Sequence, residues 1–399
     1  MNPTIESLYR ELSRLADECQ RLKNESIYDC GDDVLSTCFA DAAEADFDGL
    51  CGKLQKEGTV LLDRTAAGNR FFAAAQGEGY CHVSFFPARG QLRIAATAFG
   101  TYLPAKLGDV PQNADERSVT QVCPDDTAGN FGMCYVFSLG AGHFLIYDGN
   151  GDLGEDHTRL YDTLLRATPA GQKPVVDAWI VTHPHWDHVS GMAKFAGAYA
   201  GAVEVRNVLC NLPALNERFG LRDIGNLAST RVDWLPKFLT AFPEARQWKL
   251  HTGQCVSVGD ATVEVLYTHE DLSPWSSLPA NDSSTVTAVT LAGKRFLLPA
   301  DVSCAGACGW LRDVWGEALR SDFYQVAHHG WDTEALLFYD LVDAKTVLWP
   351  LRLPDWERIQ KFPATRRMVR EMQDGTREFL IAREECITIG LGSPGKETT

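Results

Sequence analysis

Long apolar runs and an excess of basic residues are both missing from this sequence of 399 residues. No segment approaches the roughly 18–20 apolar residues that a membrane-spanning helix needs, so we expect no role in a membrane. The first six residues, MNPTIE, show no basic stretch followed by an apolar core, so we expect no secretory signal and a cytoplasmic location. The net charge of −16 opposes general binding to nucleic-acid phosphates, and a small anionic substrate is the favoured partner.

CxxC pairs are also missing, although the chain has 12 cysteines. Without an export signal, we expect these thiols to be reduced and mostly buried. Cys304 and Cys308 are the closest pair, and two buried thiols are favoured there over a metal site or a disulfide. The hydrophobic content of 45% and the charged content of 23% are those of an ordinary globular protein.

The period of the apolar residues changes along the chain and predicts two domains. Residues 1–102 predict a small α+β domain, in which helices are followed by four short strands with glycine-containing turns between them. Residues 103–116 predict a linker, and residues 117–399 alternate between strand and helix patterns, which is typical of an α/β layered domain. The apolar stripe at residues 5–22 packs either within its own domain or against a second subunit. We therefore expect the N-terminal domain to cover the active-site cleft or to form a homodimer.

The segment HPHWDH at residues 183–188 is the strongest functional motif. It follows the apolar run 178–181, which predicts a strand, and it places three imidazoles and a carboxylate in one loop. Neutral imidazole and carboxylate are ligands of zinc, iron and manganese. Because burying so many imidazoles without partners is costly, the segment predicts a metal site.

Three further segments end an apolar strand pattern with a residue that can bind metal. Asp148 begins the segment DGNG, Asp301 ends the segment LLPAD, and His328 and His329 precede Gly330. Because the ends of neighbouring strands gather at one edge of a sheet, we expect these residues to lie close to the histidine motif.

The spacing HxHxDH at residues 183–188 resembles the metallo-β-lactamase superfamily, and Asp148, Asp301 and His329 match the other motifs of that superfamily in order. The resemblance covers roughly residues 115–395. It implies a four-layer αββα sandwich with a dinuclear metal site on one edge.

Within that superfamily, the segments 281–286, 297–301 and 326–330 resemble the hydrolase domain of the competence DNA-uptake proteins and the phosphorylcholine esterase branch. The chain departs from the uptake proteins in two respects. It lacks their membrane segments, and it has Phe362-Pro363 where a His-Pro pair is expected. DNA transport is therefore not implied.

The resemblance implies these metal ligands: His183 and His185 for one ion, Asp187, His188 and His329 for the other, and Asp301 as a bridge between them. Zinc is the favoured ion, with manganese or iron as alternatives. True β-lactamases commonly place a cysteine at the bridging position, so a carboxylate there argues against antibiotic hydrolysis. Asp148 is expected to orient the histidine loop by hydrogen bonds rather than to bind metal.

The third ligand of the first ion stays open between His269 and the segment Asn281-Asp282, which the resemblance favours. His328 and His329 are adjacent, so their side chains point in different directions. His329 is expected to bind metal, whereas His328 either faces the substrate as a proton donor or packs in the wall. The candidate catalytic residues are Asp187, His328 and Asn281.

These expectations describe a dinuclear metal-dependent hydrolase. Two divalent ions lower the pKa of a shared water, which gives a bridging hydroxide, and they stabilise both the attacking and the leaving oxygen of a phosphodiester. A phosphodiesterase that acts on a small or single-stranded anionic substrate is therefore the favoured hypothesis. Hydrolysis of a lactone or a thioester at the same site is the alternative, and a di-iron redox protein or a non-enzymatic binding module is less favoured.

Overall fold

The computed structural model describes residues 27–29, 34–97, 100–109, 117–125, 132–213, 233–272, 280–303, 306–331, 335–351, 358–382 and 385–392. The helix predicted for residues 5–22, and with it the predicted homodimer contact, lies outside these ranges. Within them, no helix is both long enough and apolar enough to cross a membrane.

The N-terminal region forms one antiparallel sheet with a helix on one face. Its elements are β1 (Ile27–Asp29), β2 (Val34–Phe39), α1 (Glu44–Glu57), β3 (Val60–Ala66), β4 (Asn69–Gln76), β5 (Gly79–Phe86) and β6 (Gln91–Thr97). The six strands lie in the order β1-β2-β6-β5-β4-β3. The helix α1 buries Phe47, Leu50 and Leu54 in a core that it shares with this sheet.

The number of strands in this sheet differs from the expectation. The sequence predicts four strands, and these correspond to β3 through β6, whereas β1 and β2 are additional. All six residues of β2 are buried. The strand therefore lacks the alternation of apolar and polar residues by which a half-buried strand is recognised in a sequence.

The rest of the described chain forms two larger sheets. The strands are β7 (Lys106–Leu107), β8 (Arg117–Gln121), β9 (Tyr135–Gly140), β10 (His143–Tyr147), β11 (Val175–Val181), β12 (Glu204–Val205), β13 (Asn207–Cys210), β14 (Arg246–Lys249), β15 (Cys255–Val258), β16 (Ala261–Tyr267), β17 (Val286–Leu291), β18 (Lys294–Leu298), β19 (Phe323–Gln325), β20 (Thr346–Trp349), β21 (Glu378–Ile381) and β22 (Ile387–Gly392). The helices are α2 (Asp156–Arg166), α3 (Trp186–Tyr199), α4 (Trp234–Ala241), α5 (Ala307–Trp315), α6 (Ala335–Val342) and α7 (Pro363–Asp374).

Each of these sheets has eight strands. The first has the order β14-β13-β11-β10-β9-β8-β22, with β12 also paired to β11, and the second has the order β21-β20-β19-β18-β17-β16-β15-β7. The strand β7 lies within the segment 103–116 that the sequence predicts as a linker, and it pairs with β15. The second sheet therefore begins inside that segment.

The two sheets pack face to face, and helices cover both outer faces. Tyr135, Phe137 and Ile180 of the first sheet share a buried core with Val263 and Phe296 of the second sheet. Another core joins the first sheet to α2, α3 and α4, and a third joins the second sheet to α5, α6 and α7. These layers confirm the predicted αββα sandwich.

The direction of the strands brings several loops to one edge. In the first sheet β10, β11, β13 and β14 are parallel, and in the second sheet β18 and β19 are parallel and β16 runs in the same direction. The backbone N–H of Thr285 donates to the carbonyl oxygen of Thr182 at 2.9 Å. This bond joins the loop after β11 of the first sheet to the start of β17 of the second sheet. The corresponding edges of the two sheets therefore lie side by side.

The N-terminal sheet packs on α5 and on the turn after β14. The Phe71 ring stacks on Trp315 with centroids 6.0 Å apart, and the Phe86 ring meets Trp310 edge-on at 4.9 Å. Gly253 has a φ of +91°, and a Cβ atom there would lie 2.1 Å from the Phe71 ring. Only glycine therefore fits at this close approach.

Three buried side chains form a hydrogen-bonded series beside the contact between the N-terminal sheet and the turn after β14. The Tyr80 hydroxyl lies 2.9 Å from Nε2 of His251, and Nδ1 of His251 lies 2.9 Å from Oε2 of Glu270. The hydroxyl and the carboxylate therefore engage both ring nitrogens of His251. His251 is fully buried, and Tyr80 of the N-terminal sheet contributes to this burial.

His82 is held neutral at the same boundary. Its Nε2 donates to the carbonyl oxygen of Thr252 at 3.0 Å, which leaves Nδ1 to accept from the Tyr102 hydroxyl at 2.9 Å. Burial, followed by the proximity of His251, lowers the pKa of His82 to about 3. His82 therefore joins the N-terminal sheet to the turn after β14.

We predict that acid weakens this boundary through His82. Between its unfolded pKa of 6.5 and its folded pKa of about 3, the unfolded chain binds a proton that the folded chain does not, so stability falls as the pH is lowered. Each pH unit in that range removes about 1.4 kcal/mol for this residue. Urea unfolding at several pH values measures the slope. The H82Q variant is expected to show a slope smaller by that amount, and an unchanged slope would contradict the prediction.

Candidate metal centre

Four loops that follow parallel strands meet at the shared edge of the sandwich. Asp148 follows β10, His183 begins the loop after β11, Asp301 follows β18, and His329 follows β19. Because neighbouring parallel strands end side by side, these loops bring all the predicted metal ligands together.

Asp148 holds the histidine loop in place. Its Oδ1 accepts a hydrogen bond from the backbone N–H of Thr182 at 2.9 Å. Its Oδ2 accepts from the Thr182 hydroxyl and from Nδ1 of His188, each at 2.7 Å. Asp148 has a φ of 50°, a left-handed conformation that costs roughly 1–3 kcal/mol and that these bonds help to offset. The carboxylate thus turns Nε2 of His188 toward the centre, as the sequence leads us to expect.

The loop after Asp148 lies so close to α3 that it requires glycine. The N–H of Gly149 donates to the carbonyl oxygen of His188 at 2.7 Å, and the N–H of Gly191 donates to that of Asn150 at 3.0 Å. A Cβ atom at Gly191 would lie 1.9 Å from the Gly149 carbonyl oxygen. The glycines therefore fix the distance between Asp148 and the histidine motif.

The turn that carries Asp301 is clamped by a buried glutamine. Ala300 has a φ of 51°. Its N–H donates to Oε1 of Gln325 at 2.7 Å, and Nε2 of Gln325 donates back to the Ala300 carbonyl oxygen at 3.1 Å. The N–H of Asp301 donates to the Ser284 hydroxyl at 3.2 Å. These bonds fix the direction of the Asp301 carboxylate at the centre of the edge.

His328 and His329 occupy a strained turn, with φ of 47° and 52°. The Nδ1–H of His329 donates to the carbonyl oxygen of Pro350 at 2.6 Å, and Nε1–H of Trp349 donates to the carbonyl oxygen of His329 at 2.9 Å. A Cβ atom at Gly330 would lie 2.7 Å from the Trp349 ring. The neighbouring loop after β20 thus maintains the strained turn and directs Nε2 of His329 toward the centre.

Two groups of donor atoms result, and they share one carboxylate. The groups are Asp187, His188, Asp301 and His329, and His183, His185 and Asp301. The donor atoms within each group lie within 4.8 Å of one another. Oδ2 of Asp301 lies 3.3 Å from Nε2 of His188, 3.5 Å from that of His329 and 3.8 Å from that of His183. The grouping coincides with the two ligand sets that the resemblance implies, and metal binding by them stays a prediction.

Buried atoms without hydrogen bonds show that a cation fits this centre. Among the described residues, Nε2 of His183, His185 and His188 and Oδ1 of Asp301 are buried with no hydrogen-bond partner. Such groups are costly to bury, and a metal ion satisfies them. Two donors that each lie about 2.1 Å from a tetrahedral ion are about 3.4 Å apart. The 3.3 Å between His188 and Asp301 matches that spacing.

The electrostatics of the centre also favour a cation. Burial lowers the pKa of His183 well below its usual value and lowers that of His185, so both rings have a lone pair to offer. Burial acts on His188 in the same direction, but the surrounding carboxylates, Asp301 first, raise its pKa well above the usual value. Without metal, protons therefore compensate the carboxylates, and metal binding releases them.

The two remaining candidate catalytic residues contact each other. Nδ2 of Asn281 lies 3.0 Å from Nε2 of His328. The His328 ring lies 6.5 Å from the His329 ring, centroid to centroid. The pair therefore lies beside the donor groups and belongs to neither.

The other candidates for the third ligand of the first ion are engaged elsewhere. Nε2 of His269 lies 3.0 Å from Oδ1 of Asn211. The Asp282 carboxylate accepts from the N–H of Ser303 at 2.7 Å and from its hydroxyl at 2.8 Å. Neither residue belongs to the donor groups found among the described residues. Of the open alternatives, Asn281 is the one that contacts a candidate catalytic residue.

Two of the residues that orient the ligands are not recognisable in the sequence. Gln325 acts through a side-chain amide at the end of a buried strand, and Pro350 acts only through its carbonyl oxygen. Neither leaves a pattern in the sequence. Thr182 also helps to hold the histidine loop, through the bond from its hydroxyl to Asp148. Its position immediately before the histidine motif is a sequence signal by which this role could have been recognised.

Comparison with known proteins agrees with this geometry. Residues 129–268 match the sequence profile of the metallo-beta-lactamase superfamily. That segment includes Asp148 and the histidine motif, and it is similar to a metallo-beta-lactamase superfamily domain. No similar sequence was found among curated proteins. The predicted similarity to the competence and phosphorylcholine esterase branches of the superfamily remains a prediction.

Two solved structures are similar to part of this chain. The metallo-beta-lactamase fold protein YhfI from Bacillus subtilis is 14% identical, with a TM-score of 0.42, and the match covers 69% of this chain and 99% of that one. CmlA, a diiron beta-hydroxylase from Streptomyces venezuelae, is 13% identical, with a TM-score of 0.40, and the match covers 69% of this chain and 54% of that one.

We predict that D148N weakens metal binding about 10–100-fold, the usual cost of losing a residue that orients a ligand. An amide nitrogen in place of Oδ2 cannot accept the bonds from Thr182 and His188, so the imidazole loses its fixed direction. Zinc titration in competition with a chelator measures the affinity. The control is D162N, which removes an exposed carboxylate on α2. Equal affinities for the two variants would contradict the prediction.

Proposed function

We propose that this protein is a dinuclear metal-dependent hydrolase that cleaves phosphodiester bonds in a small or single-stranded anionic substrate. The supporting observation is the pair of donor groups that share Asp301. A carboxylate within 3.8 Å of three imidazole nitrogens keeps the two groups close enough for both to act on one substrate group. Phosphodiesters gain most from such a pair, because charge develops on both the attacking and the leaving oxygen.

The proposed ligands are His183 and His185 for one ion, Asp187, His188 and His329 for the other, and Asp301 between them. Divalent ions held there supply a water of lowered pKa and neutralise charge at the attacked centre. The chain supplies fixed positions, since Asp148 and Pro350 hold two of the rings from their outer nitrogens. Imidazole and carboxylate donors favour zinc, and they also suit iron and manganese.

His328 and Asn281 are proposed to act on the leaving group. The contact of 3.0 Å between Nδ2 of Asn281 and Nε2 of His328 fixes the imidazole beside the donor groups. A protonated His328 carries an N–H at both ring nitrogens. With the Asn281 amide turned so that its free Oδ1 accepts from Nε2–H, the Nδ1–H can donate a proton to the departing oxygen. Asn281 is then the residue that positions this donor.

A panel of substrates tests the reaction class. Metal-loaded protein is expected to hydrolyse bis(p-nitrophenyl) phosphate and small linear or cyclic phosphodiesters, and D301N is expected to lose this activity together with its metal. Turnover of lactones or thioesters with no turnover of any phosphodiester would contradict the proposed substrate class. Two bound irons with a charge-transfer band and no hydrolysis would contradict the hydrolase itself.

We predict that H328Q separates substrates by their leaving groups. An alkoxide needs a proton to leave and p-nitrophenolate does not. The variant is therefore expected to lower kcat for an alkyl phosphodiester about 100-fold or more and to change turnover of the p-nitrophenyl ester little. H157Q, which replaces a histidine on α2 outside the donor groups, is the control and should change neither. Equal losses on both substrates would contradict the role of proton donor.

A further inference from the structure

A groove on the outside of the first sheet has the composition of an anion site. It lies between α2 and the strands β8 and β22, and its volume is about 560 Å³. The residues that line it and carry polar side chains include Arg159, Thr163 and Arg166 on α2, Ser118 and Thr120 on β8, and Thr388 on β22. None of these residues belongs to the two metal donor groups.

The basic side of the groove is one stripe of α2. Arg159, Thr163 and Arg166 are spaced at i, i+4 and i+7, which places them on one face of the helix. The neighbouring stripe, with Leu160 and Leu164, packs into the core below the first sheet. The helix is therefore anchored by its apolar stripe, and its basic stripe is left facing the hydroxyl groups of the two strands.

The two arginines of the groove are not neutralised. Nη1 of Arg159 donates to two backbone carbonyl oxygens at 3.3 and 3.4 Å, and Nε of Arg166 donates to the carbonyl oxygen of Asp162 at 3.2 Å. In the part of the chain that the structure describes, neither guanidinium forms an ion pair, whereas most other arginines there do. The chain as a whole has a net charge of −16, so two arginines without an ion pair make this side of the groove basic against the acidic average.

The opposite side of the groove supplies neutral hydrogen-bonding groups. The hydroxyls of Thr120 and Thr388 lie 2.9 Å apart across β8 and β22, and Ser118 lies on the same side of β8. Among the described residues that line the groove, Glu385 is the one acidic residue, and it is exposed. The described lining residues thus carry a net charge of one positive unit, and hydroxyl groups lie beside the arginines.

We propose that this groove binds the phosphate group of a small phosphate monoester. A guanidinium matches the geometry of a phosphate through two parallel N–H bonds. The Ser118 hydroxyl and one hydroxyl of the Thr120–Thr388 pair can donate to the remaining phosphate oxygens. The volume lies within the range of roughly 300–1,000 Å³ that is usual for small-molecule sites, so it has room for a carbon skeleton as well as the phosphate. Because the groove shares no residue with the metal centre, this proposal does not depend on the proposed hydrolase.

Calorimetric titration of the metal-loaded protein with ribose 5-phosphate tests the proposal. The variant R159Q/R166Q removes both arginines, and the control R89Q/R320Q removes the same charge from two surface arginines that are paired with carboxylates. We expect the control to bind like the wild type and R159Q/R166Q to bind at least tenfold more weakly. Metal content and phosphodiester turnover should be unchanged in both variants. Equal affinities for the two variants would overturn the proposal.

Two further measurements use the unaltered chain. Ribose 5-phosphate should bind more tightly than inorganic phosphate, because the groove has room for the sugar, and equal affinities would overturn the assignment to a monoester. Ribose 5-phosphate should also slow the modification of Arg159 and Arg166 by phenylglyoxal, measured by mass spectrometry, without slowing that of Arg89. Equal rates with and without the ligand would overturn the site.

Discussion

The burial of several imidazoles and carboxylates within one small volume is the constraint on which the rest of this structure depends. Such groups are costly to remove from water when they have no hydrogen-bond or ionic partner. The chain orients two of the rings from their outer nitrogens, since Asp148 holds His188 and Pro350 holds His329. The inner nitrogens therefore face one another and Asp301, an arrangement that a divalent cation satisfies.

The sandwich provides the rigidity that this arrangement needs. Asp148, Ala300, His328 and His329 all have left-handed backbone conformations, and each follows a strand of a tightly packed sheet. Conformations of this kind cost roughly 1–3 kcal/mol apiece and persist only where surrounding contacts determine them. The clamp of Gln325 on Ala300 is one such contact. Strain is therefore concentrated where the ligands must point inward, and the cores between the layers hold it there.

The sequence predicts the candidate site better than it predicts the surroundings of the site. The histidine motif, Asp148 and Asp301 are recognisable because each follows an apolar strand, and parallel strands end at one edge. The strand β2 is not recognisable, because both of its faces are buried and its pattern does not alternate. The burial of His251 under the N-terminal sheet is likewise invisible, because it depends on contacts between residues some 170 positions apart, such as Tyr80 and His251. Long-range contacts of this kind leave no local period in a sequence.

The most direct test of the central claim is the number of metal ions bound by the wild type and by two variants, measured by elemental analysis after zinc loading. The shared carboxylate predicts two ions per chain in the wild type, one in H185A, which alters a single donor group, and fewer than one in D301N, which alters both. A wild type that binds no metal, or a D301N variant that retains both ions, would contradict the account.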